Sequence, residues 1–223
     1  MEIKLGVAKL VDDYLVSKQK EEAPRDYLGA SILGTECDRA LWYKVKEPRQ
    51  AVEGRRQMIF DIGHSLEDYI ITLLKGAGIQ FYDNPDGGQW GFVDSPIAGH
   101  CDGVVYGLPE SDQPHLLEIK TLGFDWWTKL QKSGLEAYSN TYWVQVHVYM
   151  HYLQLENCLF VAMNKDNCEL YFERVKYDKR VADMAILRGK DIAIFTQEPE
   201  RKYGKSNFYK CKMCDFNKKC WGL

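Results

Sequence analysis

The sequence contains no long uninterrupted apolar segment, and this absence excludes one class of protein. Its apolar runs fall far short of the roughly 20 residues that a membrane-spanning helix needs, so we expect no membrane partner. The first 22 residues carry scattered charges and no small-residue cleavage site, which argues against a signal peptide. Both observations predict an intracellular protein in reducing, cytoplasmic surroundings.

Several familiar motifs are also missing from the 223 residues. The chain has no GxxxxGK(S/T) phosphate-binding loop, so it is not itself a helicase, and it has no helix-turn-helix or zinc-finger reader. No internal repeat and no low-complexity segment divides it. With 45% hydrophobic and 27% charged residues, the composition is typical of a globular chain. We therefore predict a single domain over residues 1–223, long enough to bury a substantial core.

Basic and acidic residues nearly balance overall, with 29 against 32, but basic residues predominate at one end. The net charge of −3 gives no hint of a nucleic-acid partner, yet the stretch 201–223 has seven basic residues against one acid, Asp215. The basic residues are Arg201, Lys202, Lys205, Lys210, Lys212, Lys218 and Lys219. Such an end suits a phosphate-binding rim, and it is equally compatible with a solvated tail.

Hydrophobic periodicity and turn residues predict an α/β fold, with a small mixed sheet flanked by helices. Helices are predicted over 1–22, 35–46, 57–75, 135–153 and 179–196, with a connector over 21–31. Strands are predicted over 89–93, 97–105, 115–121, 158–163 and 169–177, the middle pair and the last pair as antiparallel hairpins. In the 57–75 helix, the predicted core stripe is Ile59, Ile62, Leu66, Ile70 and Leu73/Leu74.

The first predicted hairpin carries the residues of greatest chemical interest, in GHCDGVV at 99–105 and LLEIK at 116–120. Alternate residues of a strand face one side, so Glu118 and Lys120 project together while Leu117 and Ile119 enter the core. A glutamate and a lysine among core residues are costly to bury unless they are paired or bind something. If the hairpin places Asp102 beside Glu118, two carboxylates converge with a lysine next to them.

Two crowded carboxylates repel each other, and a divalent cation relieves the repulsion. Mg²⁺ typically binds through one or two carboxylates and keeps waters and substrate phosphate oxygens as its other ligands. Such an ion polarises a phosphoryl group and lowers the pKa of a bound water, while a lysine orients that water or stabilises transition-state charge. The arrangement suits phosphodiester hydrolysis. Taken alone, a D…ExK pattern also occurs by chance as a surface ion pair on a strand, so its context decides.

The context resembles the PD-(D/E)XK superfamily, and in particular its RecB-like branch, over residues 34–220. Its motifs GxxxE, GxxD, ExK and QxxxY are matched at 63–67, 99–102, 118–120 and 145–149. The resemblance implies a restriction-endonuclease-like core in which Lys120 is catalytic. The implied Mg²⁺ or Mn²⁺ ligands are Asp102, Glu118, the Ile119 carbonyl and Glu67, with His64, off the motif's spacing, as a further candidate. Gln145 and Tyr149, four residues apart on one helical face, then address the same cleft as catalytic residues.

Seven cysteines are unusual for a chain expected in a reducing compartment, where disulfides rarely persist. Three of them, Cys211, Cys214 and Cys220, follow the pattern CxxC-x5-C. Thiols so close together are hard to explain as core packing and predict a metal or cluster site. The natural fourth ligand is Cys37, in TECDRALWY. Four thiolates suit zinc or an iron–sulfur cluster, and geometry alone does not choose between them.

A subset of RecB-like nucleases, including the AddB nuclease domain and the exonucleases of CRISPR adaptation, has the same order and spacing of cysteines. The resemblance implies a 4Fe–4S cluster on Cys37, Cys211, Cys214 and Cys220, with zinc as the alternative. Segments 34–46 and 201–223 would then form a cluster-binding subregion, an iron–sulfur clasp that joins the N- and C-terminal segments. Closing so long a loop stabilises a chain mainly by restricting its unfolded state.

Aromatic and cationic residues near these motifs indicate the kind of substrate. Proteins hold single strands without sequence readout by stacking bases on aromatic rings and pairing phosphates with cations. The candidate DNA contacts are Arg39, Trp42, Tyr43, Trp126, Trp127, Lys129, Lys210 and Lys212. The tryptophans are equally compatible with a place in the core.

We therefore predict a metal-dependent DNA exonuclease that acts on single-stranded or end-bearing DNA. The resemblance places it in recombination, repair, phage replication or CRISPR adaptation, in a prokaryotic or phage-infected host cell, with a recombination or CRISPR-adaptation protein as a further partner. The alternative is a non-catalytic DNA-binding or scaffold module that a four-cysteine zinc or iron–sulfur site stabilises. The intact set of Asp102, Glu118 and Lys120 argues against that alternative.

Overall fold

The computed structural model describes residues 6–19, 27–47 and 52–223. Its helices are α1 (Gly6–Gln19), α2 (Asp38–Lys46), α3 (Gly54–Gly76), α4 (Phe124–Tyr138), α5 (Asn140–Leu153), α6 (Lys179–Ile194), α7 (Tyr209–Lys212) and α8 (Asn217–Trp221), with a 3-10 turn at Ala30–Ile32. Its strands are β1 (Leu28–Gly29), β2 (Gln80–Phe81), β3 (Gly91–Asp94), β4 (Ile97–His100), β5 (Gly103–Tyr106), β6 (His115–Leu122), β7 (Asn157–Asn164) and β8 (Leu170–Lys176). None of the helices described is long and apolar enough to cross a membrane.

The strands form two mixed sheets. The larger has the order β2-β5-β6-β7-β8, in which β6 and β7 run parallel and the other neighbours antiparallel. The smaller has the order β1-β4-β3, with β1 parallel and β3 antiparallel to β4. Parallel neighbours cannot be joined by a tight turn, so β6 and β7 need a crossover connection, which α4 and α5 supply.

Helix α5 is the central element of the core. Every residue from Val144 to Met150 is buried, and the helix contacts α4, α6, β3, β6 and β7. A helix that is buried all round is found where neighbouring elements cover every side. The larger sheet is covered on one face by this layer of helices and on the other by α3. Strand β6 therefore lies in the interior along most of its length.

Most of the predicted elements are confirmed. The helices predicted over 35–46, 57–75 and 179–196 correspond to α2, α3 and α6, and the second hairpin corresponds to β7 and β8. The helix predicted over 1–22 is described as α1, while residues 1–5 and 20–22 lie outside the described residues. The 21–31 connector is described from Tyr27 onward, where it holds β1 and enters the 3-10 turn.

Two predicted elements are wrong in their extent. The strand predicted over 97–105 is two strands, β4 and β5, which belong to different sheets and are separated at Cys101 and Asp102. The helix predicted over 135–153 is interrupted at Ser139, whose hydroxyl accepts a hydrogen bond from the Tyr142 N–H and caps α5. Its first residues belong to α4, which kinks at Gly134, where φ is +73°.

The predicted apolar stripe of α3 is buried only toward its C-terminal end. Ile70 and Leu74 pack on the larger sheet, whereas Ile59, Ile62 and Leu73 are 51%, 48% and 42% exposed. The N-terminal part of α3 extends beyond the sheet, so its apolar side chains lack a sheet to cover them. The hydrophobic periodicity of a sequence predicts a helix, but it does not show where the elements that cover that helix end.

Candidate active site

Asp102 stands at the break between the two sheets. Strand β5 pairs antiparallel with β6, with Gly103 opposite Leu117, and this register sets Asp102 opposite Glu118. The Asp102 carboxylate accepts a hydrogen bond at Oδ2 from the Ile119 N–H, over 2.6 Å. The break that ends the regular pairing therefore brings the aspartate against the middle of β6. The predicted convergence of Asp102 with Glu118 is what the structure shows.

Glu118 and Lys120 lie on the same face of β6. Glu118 is only 1% exposed, and its Oε1 accepts hydrogen bonds from Lys120 Nζ and, over 2.7 Å, from Gln145 Nε2. Its other oxygen, Oε2, has no hydrogen-bond partner among the described residues. A buried carboxylate oxygen without a donor is costly, so this atom is suited to a ligand.

A third carboxyl group, that of Glu67 on α3, reaches the same place. Burial, a hydrogen bond with Asp102 and the negative charge of Asp102 together raise the pKa of Glu67 to about 8, against the opposing effect of the Lys120 ammonium. Burial also raises the pKa of Glu118 to about 7, although the Lys120 ammonium works against this. Three carboxyl groups in a confined interior repel one another when ionised, and a divalent cation supplies the missing charge.

Lys120 is held in its protonated form. Burial favours the neutral amine, but the negative charges of Glu118 and Asp102 outweigh it and raise the lysine pKa above its ordinary value. The ammonium also lies 5.3 Å from the centroid of the Tyr142 ring, a cation–π distance. Tyr142 was missed in the sequence, although it precedes Gln145 by three residues and so shares its side of α5.

The predicted further ligands differ in their placement. In this conformation Oδ2 of Asp102 and Oε1 of Glu118 already accept hydrogen bonds from other groups of the protein. Among the described residues, no three histidine, cysteine, aspartate or glutamate side chains are arranged so that they could hold a metal ion. His64 is exposed on α3. The role of the Ile119 carbonyl stays a prediction; its N–H already binds Asp102.

Gln145 and Tyr149 occupy one side of α5, as predicted, and face β6. Tyr149 is 3% exposed, and burial together with the Glu118 charge raises the pKa of its hydroxyl. The ring packs against Gly99, where a Cβ atom would lie 2.8 Å from Tyr149 Cε1. The glycine of the GxxD motif is therefore required for the close approach of the Tyr149 ring. His147 lies away from this cleft, with Nδ1 accepting the Asp178 N–H over 3.0 Å.

The four predicted cluster ligands contribute to the lining of one cavity. Cys37 precedes α2, Cys211 lies in α7, Cys220 lies in α8 and Cys214 lies between those helices, and all four line one cavity of about 570 Å³. Burial raises the pKa of the Cys211 thiol, and the neighbouring thiols of Cys37 and Cys220 raise it further. Arg39 Nη1 lies 3.9 Å from Cys220 Sγ. Residues far apart in the chain thus contribute thiols to one cavity, although no three of the described His, Cys, Asp or Glu side chains are arranged to hold a metal ion in this conformation. Four thiolates are a donor set that zinc or an iron–sulfur cluster uses.

Ion pairs attach this cysteine site to the rest of the protein. Asp215, next to Cys214, pairs with Lys44 of α2 at 2.8 Å and with Arg56 of α3 at 2.5 Å. Arg201 donates to the Cys220 carbonyl over 2.7 Å. The C-terminal segment is therefore connected to two helices of the N-terminal half.

Several predicted DNA contacts are in the interior or already engaged. Tyr43 and Trp127 are 1% and 4% exposed, so neither ring is open to a base in this conformation. Trp42 donates its indole N–H to the Phe195 carbonyl, and Arg39 binds the Pro199 carbonyl and Glu198. These side chains hold α2 against the segment after α6. The DNA-contact role of Tyr43 and Trp127 stays a prediction, and both rings are buried in this conformation.

The other predicted contacts lie at the surface. Trp126 is 55% exposed, and Lys129 Nζ lies 4.4 Å from the centroid of its ring. Lys212 is exposed, whereas Lys210 pairs with Glu36 at 2.5 Å. Trp126 and Lys210 line the same cavity as the four cysteines.

No family model matches the chain, and no curated protein matches it. Solved structures do. An alkaline exonuclease from Laribacter hongkongensis, LHK-Exo, is similar with a TM-score of 0.51 at 14% identity, over 81% of this chain and 90% of that chain. Its complex with dAMP gives 0.54 at 15% identity, over 81% and 89%. A structure described as SSO0001 gives 0.52 at 14% identity, over 94% of each chain. The likeness is one of fold: the chain has a mixed α/β architecture that it shares with an exonuclease.

Proposed function

We propose that the chain is a metal-dependent DNA nuclease of the PD-(D/E)XK, RecB-like kind. The observation that carries the proposal is the convergence of Asp102, Glu118 and Lys120 with Glu67 in a buried cleft, where one carboxylate oxygen lacks a partner. The fold shared with an alkaline exonuclease supports it. An exonuclease acting on single-stranded or end-bearing DNA is the form of this activity that we favour.

Each side chain has a role that follows from its surroundings. Asp102, Glu118 and Glu67 are the residues that would hold Mg²⁺ or Mn²⁺, and the bound ion would polarise the scissile phosphate. Lys120, kept protonated by two carboxylates, stabilises the negative charge that develops on the phosphate. Gln145 fixes the orientation of the Glu118 carboxylate through its 2.7 Å hydrogen bond.

The cysteine site is the second part of the proposal. We infer that Cys37, Cys211, Cys214 and Cys220 bind a 4Fe–4S cluster that joins α2 to the C-terminal segment, with zinc as the alternative. The supporting observation is that all four thiols line one cavity, together with the ion pairs of Asp215 around it. The role assigned to the cluster is structural. Elemental analysis of the purified protein for iron and zinc distinguishes the two.

The activity is tested with linear DNA labelled at its 5′ or 3′ end, single-stranded and double-stranded, with circular DNA as the control. With Mg²⁺ or Mn²⁺ the wild type should degrade linear DNA in a time course. Lys120→Ala should be slower by about 100-fold or more, the usual cost of removing a transition-state donor. The matched control is Lys176→Ala, an exposed lysine on β8, which should behave as the wild type.

Two results would contradict the nuclease proposal. One is linear DNA that stays intact with either cation, and the other is full activity of Lys120→Ala. DNA binding without any cleavage, in a protein that holds its iron or zinc, would instead favour the non-catalytic scaffold. If the wild type digests DNA, comparison of the 5′-labelled and 3′-labelled substrates gives the polarity of digestion.

A further inference from the structure

Three aromatic rings cluster in the segment between α6 and α7. The rings of Tyr203 and Phe208 are 4.5 Å apart between centroids, and those of Phe208 and Tyr209 are 4.7 Å apart. Phe208 and Tyr209 are 37% and 60% exposed. Adjacent aromatic side chains that remain in solvent leave apolar area uncovered, and such surfaces are typical of binding sites.

The cluster forms a concave surface with cations around it. A concavity of about 630 Å³ is lined by Lys202, Tyr203, Gly204, Lys205, Asn207, Phe208 and Tyr209, which we call the C-terminal aromatic pocket. The stretch 201–212 contains no acidic residue. Within the described parts of the chain, neither Lys202 nor Lys205 forms an ion pair, whereas Lys210 pairs with Glu36, which also lies near Lys202 and accepts a hydrogen bond from Tyr203. Exposed rings beside free ammonium groups provide both contacts that an unpaired nucleic-acid strand uses.

This pocket adjoins the larger cavity that the four cysteines line. Tyr203 and Tyr209 line the pocket and also line the larger cavity that contains Trp126 and the four cysteines. Trp126 lies in the first turn of α4, which follows directly on β6, the strand of Glu118 and Lys120. Its pairing with Lys129 repeats the combination of ring and ammonium found in the pocket. Trp126, next to the strand of Lys120, and the pocket therefore border one cavity.

We propose that the C-terminal aromatic pocket binds the unpaired strand of a nucleic-acid substrate, several nucleotides away from the bond that is cut. Bases stack on Phe208 and Tyr209, and Lys202 and Lys205 contact phosphates. Every base has a π-face, so this binding is independent of sequence. The inference rests on the proposed nuclease function. It adds a substrate class, the unpaired strand, and a second contact that strengthens the binding of long strands.

The test measures the affinity of fluorescent oligothymidines of about 16 and about 4 nucleotides, the range of common single-strand site sizes. All variants are made in the full-length Lys120→Ala protein so that the DNA stays intact. Tyr209→Ala and Phe208→Ala should each weaken binding of the long strand about tenfold and change binding of the short strand little. Tyr209→Trp, which keeps an aromatic ring at this position, should bind the long strand as tightly as the parent protein. Lys202→Ala with Lys205→Ala should reduce the slope of log affinity against log salt concentration by about 1.4, since each phosphate contact on a single strand contributes about 0.7.

The matched control is Phe172→Ala, an aromatic residue that is 51% exposed on β8, outside both cavities. It should bind both strands as the parent does. Long-strand affinity that is unchanged in Tyr209→Ala, or lost equally for both lengths, overturns the pocket while the nuclease proposal stands. A parent protein that binds neither strand, in a wild type that cuts no DNA, overturns the nuclease proposal. Should Phe208→Ala unfold, Tyr209→Ala decides, since its ring is the more exposed.

Discussion

The side chain of Gln145 donates a hydrogen bond from Nε2 to Oε1 of Glu118 over 2.7 Å, with both residues almost completely buried. The bond connects the central helix α5 to the central strand β6. Because Lys120 donates to the same oxygen, the carboxylate is held on one side and presents Oε2 on the other. An amide on a helix thus sets the direction in which the Glu118 carboxylate, a proposed metal ligand, faces.

Gln145→Leu should impair the nuclease without unfolding it. The leucine is close to isosteric but cannot donate to Glu118, so the carboxylate loses its orientation; supporting hydrogen bonds of this kind are worth about 10- to 100-fold in activity or metal affinity. The measurement is kcat together with the Mg²⁺ concentration that gives half-maximal rate. The matched control is Gln131→Leu, an exposed position on α4. Activity equal to that of the wild type would show that the amide has no orienting role.

Tyr142 should act on Lys120 through the face of its ring. Tyr142→Phe keeps the ring and should keep kcat, whereas Tyr142→Leu removes it and should lower kcat by about 3- to 30-fold, the range of a cation–π contact. KM should change little, because the contact is made to the lysine and not to DNA. Equal losses in the phenylalanine and leucine variants would assign the effect to the hydroxyl or to packing instead.

Cys214→Ser should lower both the metal content and the stability of the protein. The proposed cross-link would close a loop of well over a hundred residues between Cys37 and Cys214, so its loss should cost about 3 to 5 kcal/mol in the free energy of unfolding. Urea denaturation and elemental analysis measure the two effects. Cys168→Ser, at an exposed free cysteine in the β7–β8 turn, is the control. Unchanged iron or zinc in Cys214→Ser would remove the cluster proposal.

His147 should make stability fall in mild acid. Its Nδ1 accepts the Asp178 N–H, and burial lowers the pKa of the ring to about 4 despite the Asp178 charge. The unfolded chain, with a histidine pKa of about 6.5, binds the proton more tightly. Stability is therefore full above about pH 6.5 and is lost as the pH falls toward 4, by about 3 kcal/mol at most.

His147→Asn should flatten this dependence, because the amide oxygen can accept the same hydrogen bond without titrating. Urea denaturation at pH 7 and pH 5 measures the difference in unfolding free energy. His64→Asn, at an exposed position of α3, should keep the slope of the wild type. If both variants have that slope, another group is responsible for the acid sensitivity.

The candidate site could be predicted from the sequence because strand alternation is a local rule. Glu118 and Lys120 are two residues apart, so any strand through them puts both on one face. Gln145 and Tyr149 follow the equivalent rule for a helix. The four cysteines were recognisable from chemistry, since closely spaced thiols in a reducing compartment usually bind a metal or a cluster. The predicted α/β class depended on the same local patterns.

What could not be predicted depends on long-range packing. The local sequence does not show that residues 97–105 divide between two sheets, because the position of the break at Asp102 depends on where β6 lies. Trp126 and Trp127 are neighbours of identical type, yet one is exposed and the other is in the core. Only the direction in which α4 leaves the sheet separates them. The same holds for Tyr43, whose hydroxyl binds Glu198, 155 residues further along.

The ion pair between Asp215 and Arg56 has a consequence for how damage at the cysteines would affect the candidate active site. Arg56 and Glu67 are on the same helix, eleven residues and about 16 Å apart along its axis. The first turn of α3 is bound by the segment that carries the cysteines, and the middle of the same helix carries Glu67, whose carboxyl group lies beside Asp102. Oxidation of the thiols that displaces this segment should therefore also disturb Glu67, one of the proposed metal ligands, through the helix.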